Sequence, residues 1–261
     1  MTAGILTALV SAITSLVVAL GTQYFALRAS RSLEQAKERD RINFAYLNPL
    51  RLYLEEVYAR LVRIDDRLTK GQGQCRDLLS IEEPEDIANI PEKWFAYEGY
   101  YLMSSCYLTA CLFFFLNQVR RDVSFLRLSH DSDTELVNLM FQVSLAFGKT
   151  GGIYYIVQGT IAEAMTDATG KAPISYRAFC QNLRDPNTLV WFQQLVKFYV
   201  GMGQGKRSDR LERALTAIPD LLRFLEQHIG GGTTIETRIV RPKMSKGMNV
   251  TTSIPSDTEI P

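Results

Sequence analysis

The stretch GYYLMSSCYLTACLFFFL, Gly99 to Leu116, carries no charged residue over 18 positions. Its reading decides between a helical bundle and a chain that crosses a membrane twice. Eighteen helical residues span roughly 27 Å, a little short of the hydrocarbon core of a bilayer. Ser104, Ser105, Cys106, Tyr107 and Thr109 interrupt its apolar character. The segment is therefore expected to be the central helix of a packed core, apolar all round because neighbouring helices cover every face.

Upstream, AGILTALVSAITSLVVALGTQYFAL, Ala3 to Leu27, is uncharged for 25 residues. That length exceeds the bilayer core and predicts a transmembrane anchor over residues 1–27. A cleaved signal peptide would have a shorter apolar run behind a basic stretch, and no Lys or Arg precedes this one. Arg28, Arg31, Lys37, Arg39 and Arg41 follow it. By the positive-inside rule this flank stays cytoplasmic and the N-terminus lies outside. A second span at Gly99 to Leu116 would then place Arg120, Arg121 and Arg127 outside, against the same rule.

Turning successive anchor residues by about 100° gathers the small ones on one side. Gly4, Thr7, Ala8, Ser11, Ala12, Thr14, Ser15, Ala19, Thr22 and Ala26 share one half of the helix. Ile5, Leu6, Leu9, Val10, Ile13, Leu16, Val17, Leu20 and Tyr24 share the other, with Val18 and Phe25 as exceptions. Membrane helices associate by close backbone approach at small residues, so the anchor is expected to form a homo-oligomer within membrane lipid. A pore lined by Thr7, Ser11, Thr14 and Ser15 is the alternative use of the same face.

Beyond the anchor, residues 28–48 read as a juxtamembrane charged helix that Asn48 and Pro49 stop. Residues 49–229 read as an all-helical cytoplasmic domain and 230–261 as a flexible tail rich in Gly, Thr, Ser, Pro and Lys. Leu50, Leu54, Val57, Leu61, Ile64 and Leu68 give residues 49–70 an apolar stripe at helical spacing. Residues 71–91 are loop-like, with an acidic cluster at Glu82, Glu83, Glu85 and Asp86 around Pro84. Further helices are expected at 92–123, 133–147, 153–168, 176–183, 187–202 and 208–229, with Asp133 and Ser208 as N-caps. The fold class is all-α: an N-terminal transmembrane helix continuing into a cytoplasmic bundle of five to seven helices, with a C-terminal tail.

A net charge of +1 gives no basic footprint for nucleic acid. Cys75, Cys106, Cys111 and Cys180 lack zinc-site spacing and disulfide density, so free thiols are expected, with Cys106 and Cys111 as small core residues. With two histidines, His130 and His228, no histidine-based metal site is expected, and no cofactor is implied. Gly148-Lys149-Thr150 and Gly205-Lys206 lack the first glycine of a phosphate loop, having Val143 and Val200 in its place. Both read as helix ends. The aromatic run from Trp94 to Phe115 reads as core, with an apolar ligand pocket as the rival.

Arg223 and His228, separated by four residues on the last helix, resemble the Arg-x4-His motif of HEPN-family RNA nucleases, which are also all-helical. The resemblance implies a pair acting on the RNA phosphodiester across a dimer interface. Phe224 stands where that family usually has a polar residue. An ordinary helix end, with His228 near the C-terminal dipole, explains the same residues. Taken together the sequence reads as a non-enzymatic, membrane-tethered interaction or sensor protein that binds a protein or small-ligand partner.

Overall fold

The computed structural model describes residues 2–70, 73–122, 130–148, 152–206 and 208–229. Along the first helix, side chains are described at Ser15, Val18 and most positions from Leu20 onward. The expected tail, residues 230–261, lies outside the described residues. Among those residues the fold is helical, without a strand; an isolated antiparallel bridge joins Thr166 and Pro173.

Helix α1 runs Thr2–Ile42 and helix α2 runs Asn48–Lys70, joined by a π-helical turn at Asn43–Leu47. The break expected at Asn48 and Pro49 is absent, and the boundary drawn there falls inside a continuous helical rod. Both flanks of the turn keep right-handed helical backbone, and the Asn48 N–H donates to the Asn43 carbonyl five residues back. Proline has no N–H for the usual partner four residues earlier, and its ring collides with that carbonyl. A wider turn just before Pro49 relieves both problems without ending the helix.

Helix α2 buries Leu50, Leu54, Val57, Leu61 and Ile64 of the predicted stripe, and Leu68 at its end is half-buried. Three 3₁₀ turns follow, at Arg76–Leu78, Pro84–Asn89 and Glu92–Ala96. The second has a capping box between Glu83 and Asp86 and a proline at its first position. The long helix expected from residue 92 is thus split, and α3 occupies Tyr100–Asp122.

Helix α3 is the centre of the fold, in contact with α2 and with three helices further along, α5 (Tyr155–Ala164), α6 (Tyr176–Leu183) and α7 (Pro186–Gly203). Its segment Tyr100–Arg121 is the one stretch among the residues with described side chains that is long and apolar enough to cross a membrane, and 78% of the apolar 18-residue stretch within it is buried inside the fold. Leu102, Met103, Cys106, Ala110, Cys111 and Leu112 are fully enclosed. This matches the core-helix expectation. Helix α4 (His130–Gly148) packs on the last helix, α8 (Ser208–Ile229), which also packs on α2. The bundle therefore comprises α2 to α8 among the described residues.

Helix ends differ from expectation for identifiable reasons. Asp133 lies inside α4, which already includes His130, so it is not a cap. Helix α5 stops at Ala164, four residues early, because the Asp167 carboxylate gathers the Thr169 hydroxyl and the Lys171 and Ala172 amides into a compact loop. Those same bonds, Thr169 foremost, hold the exposed Asp167 carboxyl below its ordinary pKa. Helix α7 begins on Asp185, whose side chain accepts from the Asn187 amide, followed by Pro186. At its end the Lys206 N–H reaches the Gly201 carbonyl and the Gly205 N–H reaches that of Met202. This reciprocal pair is the Schellman arrangement, with Gly205 at φ +73°.

Candidate ligand-binding cleft

A cleft of about 440 Å³ opens between the 3₁₀ turn Glu92–Ala96 and helix α6. The turn is set by Pro91, in extended backbone, and by Gly99. A Cβ on Gly99 would stand 2.2 Å from the Trp94 ring, so only glycine lets that ring close over the chain as it enters α3. The Gly99 N–H donates to the Trp94 carbonyl at 2.9 Å. This closure turns Phe95 inward, where it is 3% exposed.

Helix α6 forms the opposite wall. Ser175 caps it by accepting from the Ala178 amide at 3.2 Å. Its sequence is strongly two-sided: Phe179, Cys180 and Leu183 face in, while Arg177, Gln181 and Arg184 recur at helical spacing on the outer stripe. The Tyr176 hydroxyl donates to the Phe95 carbonyl at 2.9 Å and ties the two walls together. Tyr176 also meets Tyr100 and Tyr107 edge-on, with ring centres 6.1 and 5.5 Å apart, which seats the cleft on α3.

The floor is Phe95, Ala96, Tyr176 and Cys180; the rim is Glu92, Lys93, Arg177 and Arg184. Arg177 approaches Glu92 at 4.0 Å, with both side chains largely in water. Lys93 and Arg184 have no carboxylate partner among the described residues. Burial pushes the Cys180 thiol up to about 11, and burial likewise raises Tyr176. The thiol is therefore largely protonated near neutral pH and reacts slowly. The arrangement offers an uncharged apolar floor under a rim of three cations and one carboxylate.

A second cleft, of about 590 Å³, lies where the acidic loop meets α7 and α8. Its Glu82, Glu83 and Asp209 interleave with Lys197, Lys206 and Arg210. Lys197 reaches Glu85 at 3.5 Å, so the acidic loop finds a basic partner within this chain. Arg210 is 5% exposed and lies against Gly152, where a Cβ would meet the Phe147 carbonyl at 2.2 Å and Arg210 Nη1 at 3.0 Å. These groups brace the α4–α5 connection.

Arg223 and His228 engage different neighbours. Five residues along a helix turn a side chain by about 140° relative to its start. Arg223 is exposed and bonded to Asp220 at 3.0 Å. The His228 ring stacks on Phe224 with centres 4.0 Å apart, donates from Nδ1 to the Phe224 carbonyl at 2.8 Å, and turns Nε2 toward Ser132 on α4. Of the anchor face, Ser15, Thr22 and Ala26 are exposed, and the Thr22 hydroxyl donates to the Val18 carbonyl. The side chains of Gly4, Thr7, Ala8, Ser11, Ala12, Thr14 and Ala19 lie outside the described residues. The four cysteines are free, as expected, and all are buried, Cys106 and Cys111 in the core as read from the sequence and Cys75 and Cys180 in addition. Among the described residues no three His, Cys, Asp or Glu side chains are grouped to hold a metal.

Lys93, Tyr176, Cys180 and Arg184 were not singled out by the sequence. The signal that marks Arg184 is the basic outer stripe of α6; the meeting of these residues with 92–96 is a tertiary event. No family model, curated protein or solved structure matches this chain.

Proposed function

We propose that this chain is a non-enzymatic, membrane-tethered sensor: α1 anchors and self-associates in the bilayer, and the helical bundle carries a small-ligand site in the α6 cleft. The observation that supports it is the isolation of α1. From Leu20 to Arg41 nearly every described side chain is exposed, and Val18, Leu20, Tyr24, Phe25 and Leu27 are each more than half exposed. Uncovered apolar side chains in a row require lipid or another chain around them. The uncharged length from Ala3 to Leu27 and the basic flank beyond it supply the rest of the argument for lipid.

The test uses the full chain. Membranes from expressing cells, washed with alkaline carbonate, should retain the protein in the pellet; release into the supernatant overturns the anchor. Donor- and acceptor-labelled full chain in vesicles should show energy transfer that falls on dilution with lipid, and falls further for Ser11→Leu with Ser15→Leu. Transfer no greater than that of randomly distributed labels overturns self-association.

A further inference from the structure

We propose that the α6 cleft selects a small organic anion with an apolar body, the carboxylate lying between Lys93 and Arg184 and the body on Phe95, Ala96 and Cys180. The inference rests on reading this cleft as the ligand site of the bundle. The volume of about 440 Å³ is within the range that encloses small molecules. Its floor has no charged group, which disfavours a fully polar ligand such as free phosphate or a sugar.

The rim decides the sign of the ligand. Three cations and one carboxylate surround the opening, and that carboxylate, Glu92, is already beside Arg177. The two cations left over come from different elements: Lys93 from the 3₁₀ turn and Arg184 from the C-terminal end of α6. A single anionic head placed between them gains from both, and Arg184 offers the forked geometry that pairs with a carboxylate. A neutral head leaves both cations with water alone, and a cationic head is repelled by both. In the second cleft acids and bases alternate, and no head-group sign is favoured.

Three probes with one body separate these outcomes: 4-phenylbutyrate, 4-phenylbutan-1-ol and 4-phenylbutylamine. Each is titrated calorimetrically into full chain in zwitterionic nanodiscs, with empty-disc heats subtracted. Location is read from Cys180, 6% exposed against 1% or less for the other cysteines, by the rate of its N-ethylmaleimide labelling in mass spectra. The butyrate should bind at least about tenfold more tightly than the alcohol, bind more tightly still than the amine, and slow Cys180 labelling. Lys93→Ala and Arg184→Ala, both at exposed side chains, should each weaken the butyrate roughly tenfold and leave the alcohol unchanged. If all three probes bind equally and protect Cys180, the anion preference is overturned while the ligand site stands. If none binds or protects Cys180, the reading of the cleft as a ligand site is itself overturned.

Discussion

At the scale of single residues, two glycines with the same backbone conformation separate two physical effects. Gly170 and Gly205 both have φ +73°. A Cβ on Gly170 meets nothing within 4 Å, whereas on Gly205 it would lie 2.4 Å from the Gly73 carbonyl oxygen. Gly170→Ala should therefore lose only the left-handed penalty, about 1 to 2 kcal/mol. Gly205→Ala adds a collision with backbone at the Schellman turn and should lose clearly more, read from denaturant midpoints of the two variants in the full chain. Equal losses would mean that the Gly73–Gly205 approach is relaxed at no cost. The same scale shows what the sequence could and could not reveal. Gly205-Lys206 is readable as a helix end, because glycine at that position has a local cause. Its partner Gly73 is not, because the approach joins segments over a hundred residues apart. The spacing of Arg223 and His228 is conspicuous in one dimension, and in the fold each engages a different neighbour.

Between elements, the contact that most directly reports core formation is the buried pair of α3 and α7. Thr109 and Tyr199 are both fully enclosed, and their hydroxyls lie 2.6 Å apart. Tyr199→Phe leaves the Thr109 hydroxyl buried without that partner and should destabilise by about 1 to 3 kcal/mol. Adding Thr109→Val removes the abandoned hydroxyl, so the double variant should recover part of the loss in a double-mutant cycle of unfolding free energies. A strictly additive double variant would show that the bond contributes nothing. The identity of α3 as the core helix was legible because an uncharged run of this length flanked by Arg120 and Arg121 has few other places to go. The division of residues 92–99 from it was not, since it depends on Gly99 admitting the Trp94 ring, and nothing local demands that packing. Proline misled the reading at Pro49 for a related reason. A proline excludes the ordinary α-turn before it, but a π-turn satisfies the same steric rule and keeps the rod intact.

Several elements contribute buried thiols and phenols, so the bundle as a unit carries an alkaline liability. Burial pushes Cys111 up to about 12 and Cys180 up to about 11, and also raises Cys106, Tyr107 and Tyr199. The cysteine reference is 9.0. A group with a raised folded value is protonated in the fold and ionised in the unfolded chain once pH passes the reference. The folded state then holds more protons, and stability falls as pH rises. Unfolding free energy should be flat from pH 7 to 8 and decline above about pH 9, continuing down through the folded values near 11 and 12. Cys106→Ala should reduce the alkaline slope, measured by denaturant titration at stepped pH; an unchanged slope would remove that thiol from the effect.

Buried thiols also make the orientation of the whole molecule measurable, because Cys75, Cys106 and Cys111 are 1% exposed or less and the remaining thiol, Cys180, can be removed as Cys180→Ala. The proposed topology has residues before the apolar run outside and Arg28 to Arg41 inside. Ser32 is exposed on α1 beyond the uncharged stretch, so Ser32→Cys places a probe on the cytoplasmic side, and Thr2→Cys places one on the other. In intact cells a membrane-impermeant maleimide should label Thr2→Cys and spare Ser32→Cys until the membrane is permeabilised. The reverse pattern would invert the topology and contradict the basic flank. Labelling of both in intact cells would mean that α1 does not separate two compartments. The bundle would then have to cover Val18, Leu20, Tyr24, Phe25 and Leu27 with a second chain rather than with lipid. The basic flank Arg28, Arg31, Lys37, Arg39 and Arg41 favours the first pattern.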